Sequence, residues 1–184
     1  VGVLIPVKAF HAAKVRLAPA LDAAARAALA RRMAEIVVRA AGDLHVAVVC
    51  DDGGVRDWAT SAGAEVVWRP GRGLNGAVED GVDHLAVAGY AQVIVAHADL
   101  PRATTLAWVA EFEGVTLVPD RFGDGTNVCC VPSTAGFRFS YGHRSFERHR
   151  AEAERLGLAL RVVDDERLGW DVDLPRDLAY DEAG

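Results

Sequence analysis

The sequence predicts an α/β domain built on one mostly parallel, mixed sheet with helices on both faces. Short β-branched runs at 1–7, 45–50, 65–68 and 93–96 alternate with segments of helical periodicity, as in strands joined by helical crossovers. The run at 93–96 is continuously apolar, which marks a strand covered on both sides rather than a half-exposed one. Apolar segments at 115–118 and 128–131 follow each other without a helix between them, so part of the sheet is expected to be antiparallel. With 184 residues, 51% of them apolar, and no shift in composition, a single domain spanning 1–184 is expected.

Taken in order, the strand at 1–7 leads into a loop through Pro19. A helix follows at 22–41, with Leu29, Met33, Ile36, Val37 and Ala40 on one face and Arg26, Arg31, Glu35 and Arg39 on the other. Gly42 stops it. After the strand at 45–50 come a short helix at 55–62, the strand at 65–68, and turn chemistry at Pro70, Gly71 and Gly73 before a helix at 75–87. The central strand at 93–96 runs through His97-Ala98 into Asp99-Leu100-Pro101, and a helix is expected at 104–112. The two adjacent strands are followed by an extended stretch at 137–141, a helix at 145–156, a strand at 158–163 and a last short helix at 175–180.

A net charge of −6 and a pI near 5.5 argue against a broad nucleic-acid footprint, which needs clustered Lys and Arg. No apolar run reaches the roughly 20 residues that a membrane span requires. Cys50, Cys129 and Cys130 have neither metal spacing nor an even count, and a reducing cytoplasm is the expected setting.

Four polar clusters fall where predicted strands end, and ligands of open α/β sheets gather outside those ends. Lys8, Lys14 and Arg16, in the loop leaving the first strand, suit the oxygens of a polyphosphate; solvated loop charge is the alternative. The loop contains neither a Walker sequence nor a Gly-x-Gly-x-x-Gly run, so standard P-loop and dinucleotide readings lose support. Asp99 is either a ligand group or a cap for the helix after it. The loop 120–127 is longer than a tight hairpin needs, and Thr126 and Asn127 offer a hydroxyl and an amide where the next strand starts. Ser145, after Gly142, reads as an N-cap, and a helix N-terminus there also suits an anion. His149 reads as a structural histidine. Asp171 and Asp173 stand two apart in an extended segment and so share a face, unless Asp173 caps the last helix and Asp171 is solvated. Magnesium takes one or two carboxylates plus phosphate oxygens and waters, so Asp99 with one of this pair suffices if folding brings them together.

Ile5-Pro6-Val7-Lys8, Ala13-Lys14-Val15-Arg16-Leu17, Leu74-Asn75, Ala98-Asp99-Leu100-Pro101, Asp120-Arg121 with Gly125-Thr126-Asn127, Phe139 through Ser145, and Asp171-Val172-Asp173 occur in this order. In that order they resemble the guanylyltransferases of coenzyme F-420 biosynthesis, the CofC/FbiD family. The resemblance implies a Rossmann-like nucleotidyltransferase fold related to the molybdenum-cofactor guanylyltransferases, with GTP as co-substrate and Mg2+. It implies transfer of GMP to a phosphorylated three-carbon acid, namely 2-phospho-L-lactate, phosphoenolpyruvate or 3-phosphoglycerate, with release of pyrophosphate. By the same resemblance Asp99, Asp171 and Asp173 fall on metal positions and Thr126, Gly142 and Ser145 on acceptor positions. Lys8, Lys14, Arg16, Leu74 and Asn75 fall in the nucleotide region, Lys14 also counting among the catalytic groups. Leu174 departs from the threonine often found there, and the glycine-rich first loop of the molybdenum-cofactor enzymes is missing, which favours the closer relative. Asp51, Asp52 and Arg69 are candidates to read the base. Expected partners are small-molecule substrates and, for a labile guanylylated product, transient handover to the downstream transferase; a homodimer is compatible with the sequence. Two alternatives stay open: a nucleotidyltransferase for molybdopterin or a sugar phosphate, and a nucleotide-binding module without turnover.

Overall fold

The computed structural model describes residues 1–179. Seven strands form one sheet: β1 (Gly2–Pro6), β2 (His45–Cys50), β3 (Glu65–Trp68), β4 (Gln92–Ala96), β5 (Val115–Pro119), β6 (Thr126–Pro132) and β7 (Leu160–Val162), in the order β3-β2-β1-β4-β6-β5-β7. β6 pairs antiparallel with both β4 and β5, and every other pair is parallel. The sheet is therefore mixed and mostly parallel, as expected. The helices are α1 (Ala23–Ala40), α2 (Gly53–Ser61), α3 (Gly73–Val87) and α4 (Ser145–Arg155).

Both faces of the central strands are buried, which accounts for their continuous apolar runs. Val3, Ile5, Val48 and Ile94 pack into one core with Ala34 and Val37 of α1 and Trp58 of α2. Leu4, Ala47, Val49, Val93 and Val95 pack into the other with Val78 and Leu85 of α3 and Ala153 of α4. Fully burying each Val, Leu or Ile side chain among these stabilises the fold by roughly 1.5–3 kcal/mol. α3 approaches β1 so closely that a Cβ at Gly81 would stand 2.6 Å from a Leu4 methyl carbon. Asp22 and Asp52 start α1 and α2 by accepting from the N–H groups of Ala25 (2.8 Å) and Val55 (3.0 Å).

Three local expectations are corrected. Residues 104–112 form no α-helix, only a 3-10 turn at Ala107–Ala110. Leu106 is buried and its N–H is drawn to the Ala40 carbonyl at 2.9 Å. The chain must then reach β5 through Gly114, at φ 138°, whose Cβ position lies 2.3 Å from the Ala159 carbonyl. Asp99 accordingly caps no helix. At the start of α4 the cap position belongs to Arg144, in the left-handed region at φ 55°; Ser145 turns inward instead. The last helix is a 3-10 turn at Pro175–Leu178, and its expected end at Tyr180 lies outside the described residues.

Candidate active site

The chain leaves β1 towards β2 and β3 on one side, and β4 adds to β1 on the other, so a crevice opens beyond the carboxyl ends of β1 and β4. A cleft of about 440 Å³ lies there. Lys8, Lys14, Arg16, Leu74, Asp99 and Asp173 line it, together with His97 and an apolar wall that includes Val7, Phe10 and Met33. Asp51, Asp52 and Arg69 are not among the lining residues; Asp52 caps α2, and Arg69 pairs with Asp80 at 3.6 Å.

A small core draws the distant charges together. Val172 is fully buried among Leu17, Leu29 and Met33, which pins the segment carrying Asp171 and Asp173 beside the loop carrying Lys14 and Arg16. The Val172 N–H also donates to the Asp99 carbonyl at 3.3 Å. Lys14 Nζ lies 2.5 Å from Asp99 Oδ2 and 3.2 Å from Asp173 Oδ1, and Arg16 Nη1 lies 3.4 Å from Asp173 Oδ2. Lys14 sits in the left-handed region at φ 56°, an uncommon conformation for a residue with a Cβ.

The electrostatics follow from burial and proximity. Burial opposes the Lys14 charge, but Asp99 and then Asp173 outweigh it and hold its pKa above the ordinary lysine value. Burial likewise opposes the Asp99 charge; Lys14 and His97 overcome it, so its pKa lies below the usual carboxylate range. Asp171 is not among the residues that line the cleft; its cation is Arg121, with Nη1 3.4 Å from Asp171 Oδ1. Burial first, then Asp99 and Asp173, push its carboxyl up to about 6, so a proton or another positive charge is favoured there. Asp99 Oδ1 is buried without a hydrogen-bond partner. Among the described residues no three His, Cys, Asp or Glu side chains stand close enough to hold a metal ion by themselves.

Because β6 runs antiparallel to β4, its first residue lies at the same rim. The His97 N–H donates to the Asn127 carbonyl at 3.0 Å. The Thr126 N–H donates to Ser145 Oγ at 3.0 Å, and the Ser145 N–H to the Gly142 carbonyl at 3.0 Å. The three predicted acceptor residues therefore meet, although they do not line the cleft; Thr126 and Ser145 are buried and Gly142 is exposed. Asn75 lies outside the lining too, its Oδ1 accepting from the Tyr141 N–H at 2.7 Å. Asp120 organises its own loop by accepting from the N–H groups of Phe122, Asp124 and Gly125 at 2.9–3.0 Å.

His149 is the structural histidine that its sequence context suggests. The Ser140 N–H donates to its Nε2 at 2.9 Å, so the ring proton is on Nδ1, which faces Thr126 Oγ1 at 3.0 Å. Burial, then His97 and Arg148, lower its pKa to about 4. A depressed histidine contributes stability that is present above its unfolded value near 6.5 and lost as pH falls towards 4, here about 3 kcal/mol. Urea denaturation at pH about 7.5 and about 4.5 should show wild type losing that much more stability than His149→Gln. Equal losses would remove the assignment.

Sequence reasoning missed His97, Arg121 and Asp177 as site residues. His97 faces the cleft from two positions before Asp99, so the strand alternation that placed Asp99 also carried its signal. Its Nε2 is buried without a partner, its ring lies 4.8 Å from that of Tyr141, and burial holds its pKa below the ordinary histidine value. Arg121 lay in a quoted motif without a role, and nothing in the sequence around Asp177 singled it out.

The family model described as "Guanylyl transferase CofC like" matches residues 1–180. The chain belongs to this family. It is 34% identical to the phosphoenolpyruvate guanylyltransferase of Rubrobacter xylanophilus, across 98% of this chain and 92% of that one. It is also 34% identical to the 2-phospho-L-lactate guanylyltransferase of Methanothermobacter thermautotrophicus, across 95% of this chain and 81% of the other. Among solved structures, a nucleotidyl transferase from the same archaeon superposes with a TM-score of 0.65 at 16% identity, covering 96% of this chain and 94% of that one. That likeness shows the nucleotidyltransferase fold. As a guanylyltransferase this chain uses GTP, and no helix among its described residues is long and apolar enough to cross a membrane.

Proposed function

We propose that this chain transfers GMP from GTP to phosphoenolpyruvate or 2-phospho-L-lactate, with 3-phosphoglycerate a third candidate, in coenzyme F-420 biosynthesis. In this reading Asp99 together with Asp171 or Asp173 would hold a magnesium ion. The observation that carries it is the convergence of Asp99 and Asp173 on Lys14 at the crevice, with Asp99 Oδ1 buried and unpartnered. An ionised carboxylate oxygen only accepts, and a buried one without a donor is suited to a cation. Magnesium needs only one or two protein carboxylates when phosphate oxygens and waters complete its shell, so this donor set fits.

When bound, the ion neutralises charge on the triphosphate oxygens. The protein's own groups position the reactants. Lys8, Lys14 and Arg16 offset the triphosphate charge, while Leu74 and Asn75 flank the nucleotide. Thr126, Gly142 and Ser145 seat the acceptor. An oxygen of the acceptor phosphate attacks the α-phosphorus, the bond from that phosphorus to the α,β-bridging oxygen breaks, and pyrophosphate leaves with the electron pair. The acceptor phosphate has a second pKa of about 6 and is largely a dianion at neutral pH, so the step calls for no general base. The chain supplies in-line placement and charge neutralisation.

Pyrophosphate release from GTP should appear with phosphoenolpyruvate or 2-phospho-L-lactate and be absent with sugar phosphates, molybdopterin, or ATP in place of GTP. Release with a sugar phosphate or molybdopterin alone would transfer the chain to another acceptor. No release with any acceptor would leave a nucleotide-binding module.

A further inference from the structure

The segment bearing Asp171 and Asp173 has no regular secondary structure, so its own backbone ladder cannot aim the two carboxylates. Val172 anchors the segment but leaves its rotation about that point open. Two side chains outside the cleft close the gap. Asp177, 2% exposed, accepts through Oδ2 from the N–H groups of Asp173 (3.0 Å) and Leu174 (2.6 Å), and its Oδ1 takes Nη2 of Arg121. Arg121 Nη1 donates to the Asp171 carbonyl at 2.8 Å and lies 3.4 Å from Asp171 Oδ1.

Arg121 is itself fixed. Its guanidinium lies over the rings of Trp170 (4.4 Å) and Phe122 (4.5 Å), and its backbone N–H donates to the Gly169 carbonyl at 2.9 Å. This stacking is what the exposed Phe122 ring does. A planar fork packed against two rings can serve two acceptors at once, which a lysine ammonium on a flexible stem cannot reproduce. The chain of contacts thus runs from the β5–β6 loop through Arg121 and Asp177 to the backbone of both candidate ligands.

We infer that Arg121 and Asp177 are positioning residues: together they aim Asp171 and Asp173 at the cation, a role beyond any share they have in the fold. The inference rests on the metal reading given under Proposed function. Neither residue lines the cleft, so neither is assigned contact with substrate.

Removing Arg121 alone would strand the buried Asp177 charge, so the test uses Arg121→Lys and the double variant Arg121→Met/Asp177→Asn, which leaves no charge stranded at position 177. Mn2+ binding in the presence of GTP, followed by electron paramagnetic resonance well below each melting temperature, is the first readout. Affinity should fall about tenfold or more in the double variant, as for lost outer contacts to metal ligands, and by an intermediate factor in Arg121→Lys. In steady state kcat should fall while KM for phosphoenolpyruvate holds, and the intermediate value for Arg121→Lys should recur. A purely structural pair would lower the melting temperature and leave Mn2+ affinity in the remaining folded protein unchanged. If wild type takes up Mn2+ with GTP and both folded variants match it, the inference is overturned and the metal reading stands. If wild type takes up no Mn2+, the metal reading falls and the inference with it. Failure of both variants to fold also overturns it, since the pair would then serve the fold.

Discussion

Asp99→Asn is expected to lower guanylyl transfer by about 10³-fold, because several kcal/mol of transition-state charge stabilisation go with the metal and each 1.36 kcal/mol is a decade in rate. The substitution is nearly isosteric, so the cleft keeps its shape. What changes is the charge on the one carboxylate that ends β4 with an oxygen lacking any donor. Asparagine presents one acceptor and one donor where the carboxylate presented two acceptors, and its amide N–H groups repel a divalent ion. Lys14 keeps Asp173 as a partner, 3.2 Å away, and the fold should persist with a small change in melting temperature. Pyrophosphate release and a Mn2+ titration of the GTP complex read the outcome. Turnover within about tenfold of wild type would take Asp99 out of the reaction.

How far the sequence disclosed this arrangement depends on the range of the interaction involved. Strands such as β2 and β4 were legible because burial on both faces writes a continuous apolar run into the chain itself. The turn at Ala107–Ala110 was not, because a long-range tie from Leu106 to Ala40 overrides local helical periodicity. Ser145 carried a sound cap signal, yet the nearby Thr126 N–H claims its hydroxyl from another strand. In the site, the two-residue spacing of Asp171 and Asp173 put both on one face, and the order of motifs raised the prospect of their meeting Asp99. Spacing alone could not bring them together. That depended on Val172 entering a core made of Leu17, Leu29 and Met33, residues that read as ordinary helix and loop apolars. The Arg121–Asp177 pair was the least legible, since a buried ion pair spanning 56 residues leaves no periodic trace at either end.

Lys14→Met should have two opposite effects, and together they test how the cleft is loaded. The Lys14 ammonium lies between Asp99 and Asp173, the place where the proposed reading puts a divalent ion. An incoming ion must displace it, and the ammonium then needs a new anionic partner. The GTP triphosphate supplies one, so nucleotide and metal are expected to favour each other's binding by the reciprocity that governs any two linked ligands. Removing the ammonium abolishes the competition: Mn2+ should bind the nucleotide-free variant about tenfold more tightly than wild type, a coupling within the usual range for linked sites. The same change strips a cation from the triphosphate, and turnover should fall by about 10²-fold or more. Stability provides a third reading. Asp99 loses its partner, at a cost of about 2 kcal/mol, less than the roughly 3–5 kcal/mol of a fully buried pair because both groups keep some exposure. Saturating Mn2+ should therefore raise the melting temperature of Lys14→Met by more than it raises that of wild type, since the ion binds the folded state alone. Equal or weaker Mn2+ affinity in the nucleotide-free variant would show that the ammonium holds the carboxylates in place for the ion instead of standing in for it.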